Sequence, residues 1–158
     1  MGNERFRLYE EVSAINLENP LKMNRLKQQL HQVQTYMNIT AIFLDLNRPK
    51  PCFILCNWSL DAILKAVYMK EYGSIFPPRE FSLEYILELT NDEQPAYSLA
   101  AVNLIEAMRL LANCHPSQVE TIGSVHLSII IRHVDQLLIQ LSPKVSESTD
   151  ERYQSIFR

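Results

Sequence analysis

The chain has 158 residues, of which 47% are hydrophobic and 21% charged, and its formal net charge is −3. This length and composition indicate one globular domain with enough apolar residues for a core. The lack of a basic excess argues against direct nucleic-acid binding. The wide separation of Gly2, Gly73 and Gly123 excludes glycine-rich phosphate-binding loops.

The N-terminal sequence MGNERFRLYEEVSAIN is too charged for a secretory signal. No apolar run reaches the length that a membrane span requires, so no membrane association is expected. The three cysteines show no disulfide spacing, which favours a reducing compartment. We therefore expect an intracellular protein of the cytoplasm or nucleus.

Two helices are predicted in the first quarter of the chain. The first is short and covers residues 4–15. The second covers residues 21–37 and is amphipathic, because its apolar residues are spaced by four, three and four positions. These residues are Leu26, Leu30, Val33 and Met37.

A β-hairpin is predicted near residues 39–57. Residues 39–46 (ITAIFLDL) and 52–56 (CFILC) are short apolar runs rich in β-forming residues. The prolines between them fix φ and remove backbone donors, which predicts a turn. The expected fold class is mainly α, or α+β: a single domain of five to six helices with this one hairpin.

Local capping residues predict two further helices in the middle of the chain. Ser59 is a suitable N-cap for a helix that ends near Tyr72, with Gly73 as its C′ residue. Ser82 is a suitable N-cap for a short helix over residues 83–89.

The C-terminal half is dominated by helical spacing. Residues 96–112 favour a helix, with a pair of strands as the alternative. Residues 117–141 predict one long C-terminal helix, because Ser117 and Glu120 have the capping-box spacing and the apolar period continues beyond them. Its apolar face comprises Val119, Ile122, His126, Ile130, His133, Leu137 and Leu141.

The last residues are polar and are predicted to form a flexible tail. We therefore divide the chain into a globular domain over residues 1–142 and a tail over residues 143–158. Tyr153 and Phe157 in the tail are predicted to be exposed aromatic anchors of the kind that docking segments use.

The sequence offers no convincing catalytic, cofactor or metal site. Cys52 and Cys56 would be about 13 Å apart on a strand, which is too far to share one metal ion, so we assign both to packing. Cys114-His115 reads most simply as the loop that ends a helix. His126 and His133 could form a pH-sensitive or metal-linked pair, but packed histidines are commoner.

One stretch resembles a known family. The order of strand, turn, strand, Asn57-Trp58 and a helix bearing Tyr68 and Tyr72 before Phe76-Pro77 is similar to the middle of LuxR-type autoinducer-binding domains. Residues 115–141 are similar in shape to the last helix of those domains. In the family an Asp stands where this chain has Phe76, and the family's DNA-binding helix-turn-helix is not expected within these 158 residues. The resemblance implies a small-molecule sensor.

Two functions are therefore expected from the sequence. The first is a non-enzymatic protein-interaction or regulatory subunit that binds a protein partner or a second copy through residues 117–141. Its predicted contact residues are Ile122, His126, Ile130, His133, Leu137, Tyr153 and Phe157. The alternative is a small-molecule-sensing regulatory domain with an aromatic pocket lined by Trp58, Tyr68, Tyr72 and Phe76.

Overall fold

A computed structural model describes residues 20–91 and 95–157. It is mainly helical, with 75% helix, six helices and no strand within those ranges, and it fits a single domain. The helices are α1 (Pro20–Asp45), α2 (Pro49–Tyr72), α3 (Leu83–Leu89), α4 (Pro95–Asn113), α5 (Pro116–Val119) and α6 (Ser124–Leu141), followed by a 3₁₀ turn (Ser142–Lys144). The helix predicted over residues 4–15 lies outside the described residues.

The first half of the predicted hairpin is the end of α1. The buried positions of α1 continue at intervals of three and four residues into that run: Lys22, Leu26, Leu30, Val33, Met37 and Thr40. The Thr40 hydroxyl donates to the Tyr36 carbonyl one turn earlier, at 2.8 Å. This bond satisfies a buried polar group inside the helix. The prediction of a strand from residue 39 is therefore wrong.

The second half of the predicted hairpin is the start of α2. Pro49 lies in the first turn of this helix, where the amide of a helical residue has no intrahelical partner in any case. The turn that the prolines predicted is confined to residues 46–48, where Asn47 has a φ of 52°. The hairpin prediction is therefore wrong in this half as well.

The central element of the fold is α2. It contacts α1, α4 and α6, and most of its residues from Cys52 to Met69 are buried. Among the described helices, α2 is long and apolar enough to cross a membrane, but 67% of the window that qualifies is buried inside the fold. The expectation that no apolar run is long enough for a membrane span is thus wrong, because α2 meets the criteria of length and composition. The burial of α2 is typical of a core helix.

Several local predictions are confirmed. Gly73 ends α2 in the left-handed conformation, with φ of 66° and its N–H bonded to the Met69 carbonyl. The Ser82 side chain caps α3 by accepting from the Tyr85 amide at 3.3 Å. Residues 96–112 are helical, within α4. By contrast, the prediction that Ser59 is an N-cap is wrong, because Ser59 lies inside α2 and donates to the Leu55 carbonyl.

The long helix predicted over residues 117–141 is interrupted. The short α5 ends at Val119, and α6 begins only after Gly123, its N-cap residue. The capping box is formed by His115 and Gln118 rather than by Ser117 and Glu120. The buried face of α6 matches the predicted face at Leu137 and Leu141, but Leu127, Ile131 and Val134 are buried in place of His126, Ile130 and His133. The full buried face is Leu127, Ile131, Val134, Asp135, Leu137, Leu138 and Leu141.

The C-terminal segment packs against α1 and α6. Tyr153 is only 5% exposed and belongs to the hydrophobic core, with Ile156 and Phe157 packed against that core. The expectation that Tyr153 is an exposed anchor is therefore wrong. The domain boundary drawn at residue 142 stays a prediction.

Candidate binding cleft

An open cleft of about 370 Å³ lies between α2, α4 and the loop that joins α2 to α3. We call it the Trp58 cleft. It is lined by Asn57, Trp58, Leu60, Asp61, Leu64, Arg79, Glu80, Ile105, Arg109 and Asn113.

Helical spacing builds the apolar floor of this cleft. Leu60 and Leu64 are one turn apart on α2, and Ile105 faces them from α4. All three are at most 2% exposed. Trp58 stands beside this floor with 51% of its surface exposed. The floor and the indole together give the cleft its apolar character.

The Trp58 ring is supported from one side by α1. Its centroid lies 5.6 Å from that of Tyr36, with the rings tilted by 59°. This separation is within the range of favourable aromatic pairs. The indole is thus held by a neighbouring ring while half of it stays accessible to solvent.

Charged groups of both signs surround the floor. Arg109 forms an ion pair with Glu106 at 3.0 Å and donates to the Phe81 carbonyl at 3.4 Å, which ties the loop to α4. Asp61 pairs with Lys65 at 2.7 Å on α2. These pairs are partly exposed and therefore weak, so a ligand of complementary charge could replace either partner.

Of the four aromatic residues predicted to line a pocket, only Trp58 lines the cleft. Tyr72 lies about 21 Å further along α2 at helical rise. Tyr68 packs among the rings of Tyr72, Phe81 and Tyr85 at centroid distances of 4.8, 5.9 and 6.1 Å. A hydrogen bond to Glu88 is the main cause that raises the pKa of Tyr72 to about 12.

Phe76, the fourth predicted pocket residue, is 76% exposed in the loop after α2. The structure therefore does not bring the four aromatic residues together. The strand–turn–strand order that carried the resemblance to LuxR-type domains is also helical here.

The residues predicted as an interaction surface occupy three different environments. They are exposed (His126, His133), half-buried (Ile122, Ile130, Phe157) or buried (Leu137, Tyr153). The two histidines and Ile130 share one side of α6, with the exposed Val125 and Ile129 beside them. The structure thus leaves only part of the predicted surface accessible.

The cysteines that the sequence placed on a strand lie one turn apart on α2. Both Cys52 and Cys56 are fully buried, and the Cys56 sulfur lies 4.0 Å from the Met37 sulfur. Burial raises the pKa of Cys52 to about 11 and raises that of Cys56 further. Thiols of this kind are poor nucleophiles at neutral pH. Within the described ranges, no group of three or more His, Cys, Asp or Glu could hold a metal ion.

Sequence reasoning missed two sets of polar residues. Asp61 and Arg109 line the Trp58 cleft, and neither stands in a sequence motif that marks a binding site. Asp135 is 3% exposed on α6, and its position four residues after Ile131 on the apolar face was a readable signal. A carboxylate is rarely buried unless several donors bind it.

No protein-family model, curated protein or solved structure matches the chain.

Proposed function

We propose that the chain is a non-enzymatic protein-interaction domain that recognises a segment of a partner protein at the Trp58 cleft. The observation that supports this proposal is the half-exposed Trp58 beside a buried aliphatic floor. In this proposal the partner places an apolar side chain against Trp58 and the floor. Polar groups on either side of that side chain contact the charged rim.

Energetic arguments favour Trp58 as a binding residue. Tryptophan is enriched among residues that dominate binding energy, because it buries a large area with few rotatable bonds. The exposed Arg79 and Glu80 lie in the loop at the rim. Opposite charges close together can orient a partner segment that carries both signs.

A second candidate is the binding of a small molecule in the same cleft. The volume of about 370 Å³ falls at the lower end of the range of small-molecule sites, which is about 300–1,000 Å³. The small-molecule sensor therefore remains the alternative proposal, with Trp58 as the aromatic residue that contacts the ligand. The open shape and the charged rim favour a protein segment.

Self-association through α6 is also a proposal, now limited to the outward side of that helix. Val125 and Ile129 are 69% and 48% exposed there, beside His126 and His133. Light scattering of the wild type and of Ile129→Asp tests it, because the substitution places a charge on that side without touching the buried face. A wild type that is monomeric throughout would reject the α6 surface.

The cleft proposal is tested by selecting binders from a displayed random-peptide library. Trp58 is the only tryptophan in the chain, so its fluorescence reports directly on occupancy of the cleft. We expect the selected peptides to change this fluorescence and to lose at least about tenfold in affinity for Glu80→Arg, or about 1.4 kcal/mol.

The matched control is Glu120→Arg, which makes the same charge change at an exposed glutamate outside the cleft. Selected peptides that bind Glu80→Arg and the wild type equally would reject the proposal. If fragment-sized compounds shift the Trp58 emission and no peptide does, the small-molecule alternative replaces it.

A further inference from the structure

The last described residues form a strap without helix or strand structure that lies between α1 and α6. We define the strap as residues 151–157 and the strap groove as the residues that hold it: Lys27, Gln34, Arg132, Asp135 and Ser142. Glu151 meets Lys27, and Gln154 meets Gln34, seven positions further along α1. Both segments advance in sequence from the first contact to the second, so the strap runs along α1 in the same direction.

The strap groove binds the main chain of its occupant. The Gln34 amide donates to the Gln154 carbonyl at 3.1 Å, and its oxygen accepts from the Gln154 amide at 2.8 Å. The Ser142 hydroxyl accepts from the Tyr153 amide at 2.8 Å. These contacts go to main-chain groups of the strap, which is how proteins commonly hold linear peptides.

Asp135 provides sequence selectivity at the centre of the strap groove. Its carboxylate accepts from the Tyr153 hydroxyl at 2.5 Å, the Ser155 hydroxyl at 2.6 Å and the Ile156 amide at 3.1 Å. A buried carboxylate with several donors is well satisfied, and it is costly to leave without them. The carboxylate therefore selects a tyrosine and a hydroxyl residue two positions apart.

The side chains of the strap complete the pattern. Tyr153 is buried, Ile156 is half-buried, and the Arg132 guanidinium lies 4.3 Å from the centre of the Phe157 ring. A cation over an aromatic face is attractive. The groove thus fits a Tyr-x-Ser-aliphatic-aromatic segment.

The strap does not fill the space between itself and α1. Two clefts, of about 420 and 500 Å³, both include Lys27, Leu30 and Glu151 in their lining. Residues 147–150, which lead into the strap, are exposed. The strap is therefore joined to the domain by an exposed connection and is bordered by open space.

We propose that the strap groove is a peptide-binding site that takes the strap of a second copy of this chain. A second copy necessarily carries the Tyr-x-Ser-Ile-Phe segment that the groove fits. Exchange of an identical element between copies forms the same contacts as closure within one copy, so it is a low-cost route to a dimer. The exposed connection supplies the reach, because four extended residues span about 13 Å.

Two complementary variants test this proposal on the full chain. Ser155→Glu places a carboxylate against Asp135 and releases the strap while the groove stays intact. Gln34→Ala combined with Asp135→Ala disables the groove while the strap stays intact. We expect each variant alone to be monomeric by light scattering. We expect a heterodimer in their mixture, because one native strap can then occupy one native groove.

A labelled peptide with the sequence of residues 151–158 tests the groove by itself. It should bind Ser155→Glu at least about tenfold more tightly than it binds the control Ser148→Glu. The control carries the same charge change outside the strap, so its own strap still fills the groove. That tethered strap competes with the peptide at an effective concentration in the millimolar range. Circular dichroism establishes whether each variant is folded. If the double variant does not fold, Gln34→Ala alone takes its place as the variant with a disabled groove.

Failure of the peptide to bind folded Ser155→Glu would overturn the peptide-binding site. Peptide binding without a heterodimer in the mixture, at about 1 mM protein, would overturn the second copy as the source of the segment. Neither result depends on the Trp58 cleft, because none of the residues that define the strap groove lines that cleft.

Discussion

The Tyr153 hydroxyl donates a 2.5 Å hydrogen bond to Oδ1 of Asp135, a carboxylate buried on α6. The two residues are 18 positions apart, and the chain reverses direction between them. Burial and this hydrogen bond raise the pKa of the Tyr153 hydroxyl well above its usual range. The pair thus joins the C-terminal segment to the helical core through one buried polar contact.

Removal of the carboxylate should destabilise the protein measurably. We expect Asp135→Ala to lower the free energy of unfolding by about 3 kcal/mol, because it leaves the Tyr153 hydroxyl, the Ser155 hydroxyl and the Ile156 amide without their acceptor. Urea denaturation measures this loss. The neighbouring Gln136→Ala is the control, since Gln136 is exposed. Equal effects of both substitutions would contradict a buried role for Asp135.

Tyr153 should also make stability depend on pH in alkaline solution. Its pKa is higher in the folded protein than the usual 10.0, so above about pH 10 the unfolded chain binds fewer protons than the folded one. Stability therefore falls as the pH rises through that value. Tyr153→Phe should be less stable by about 1–2 kcal/mol at neutral pH. The difference in stability between the wild type and Tyr153→Phe should narrow above pH 10. A constant difference across that range would contradict the raised pKa of Tyr153.

The helical character of the chain was predictable from spacing, but its β-forming runs were misleading. Residues 39–46 are rich in β-branched and aromatic residues, yet the helical period of α1 continues through Thr40. Tertiary burial of a continuous face outweighs local propensity, which spans only about 1 kcal/mol per residue. The prolines misled for a related reason, because Pro49 fits the first turn of a helix as well as it fits a turn.

The functional surfaces were less predictable, because they depend on contacts between distant segments. Trp58 was singled out by its aromatic neighbourhood, but its partners in the cleft come from α4 and a loop. The strap contacts join residues 120 positions apart, as between Gln34 and Gln154. No periodicity within one helix reports such pairs. Only the charge of Asp135 on an apolar face gave a local indication.

The cysteines should differ in reactivity towards Ellman's reagent. In the folded protein we expect rapid modification of Cys114 alone, which is half-buried, because Cys52 and Cys56 are fully buried and their pKa values are raised. All three thiols should react after unfolding. Cys114→Ser should remove the rapid phase. Rapid reaction of two or more thiols in the native state would show that Cys52 or Cys56 is accessible, and it would contradict their burial in the core.

Lys22 should be a site where an apolar substitution stabilises the fold. It is 2% exposed, and its Nζ has no hydrogen-bond partner among the described residues. Burial, and then the charge of Lys70, lower its pKa from 10.5. Lys22→Met removes this cost while it keeps the aliphatic packing, so we expect a gain of about 1–3 kcal/mol at neutral pH by urea denaturation.

The lowered pKa of Lys22 also fixes the sign of a pH effect. Between the folded value and 10.5 the unfolded chain binds more protons at this lysine, so wild-type stability should rise with pH across that window. Lys22→Met should lack this contribution, and its advantage over the wild type should shrink towards pH 10.5. Lys70→Met is the control, because it relieves the repulsion but not the burial. A loss of stability in Lys22→Met would show that the ammonium group is bound by an acceptor.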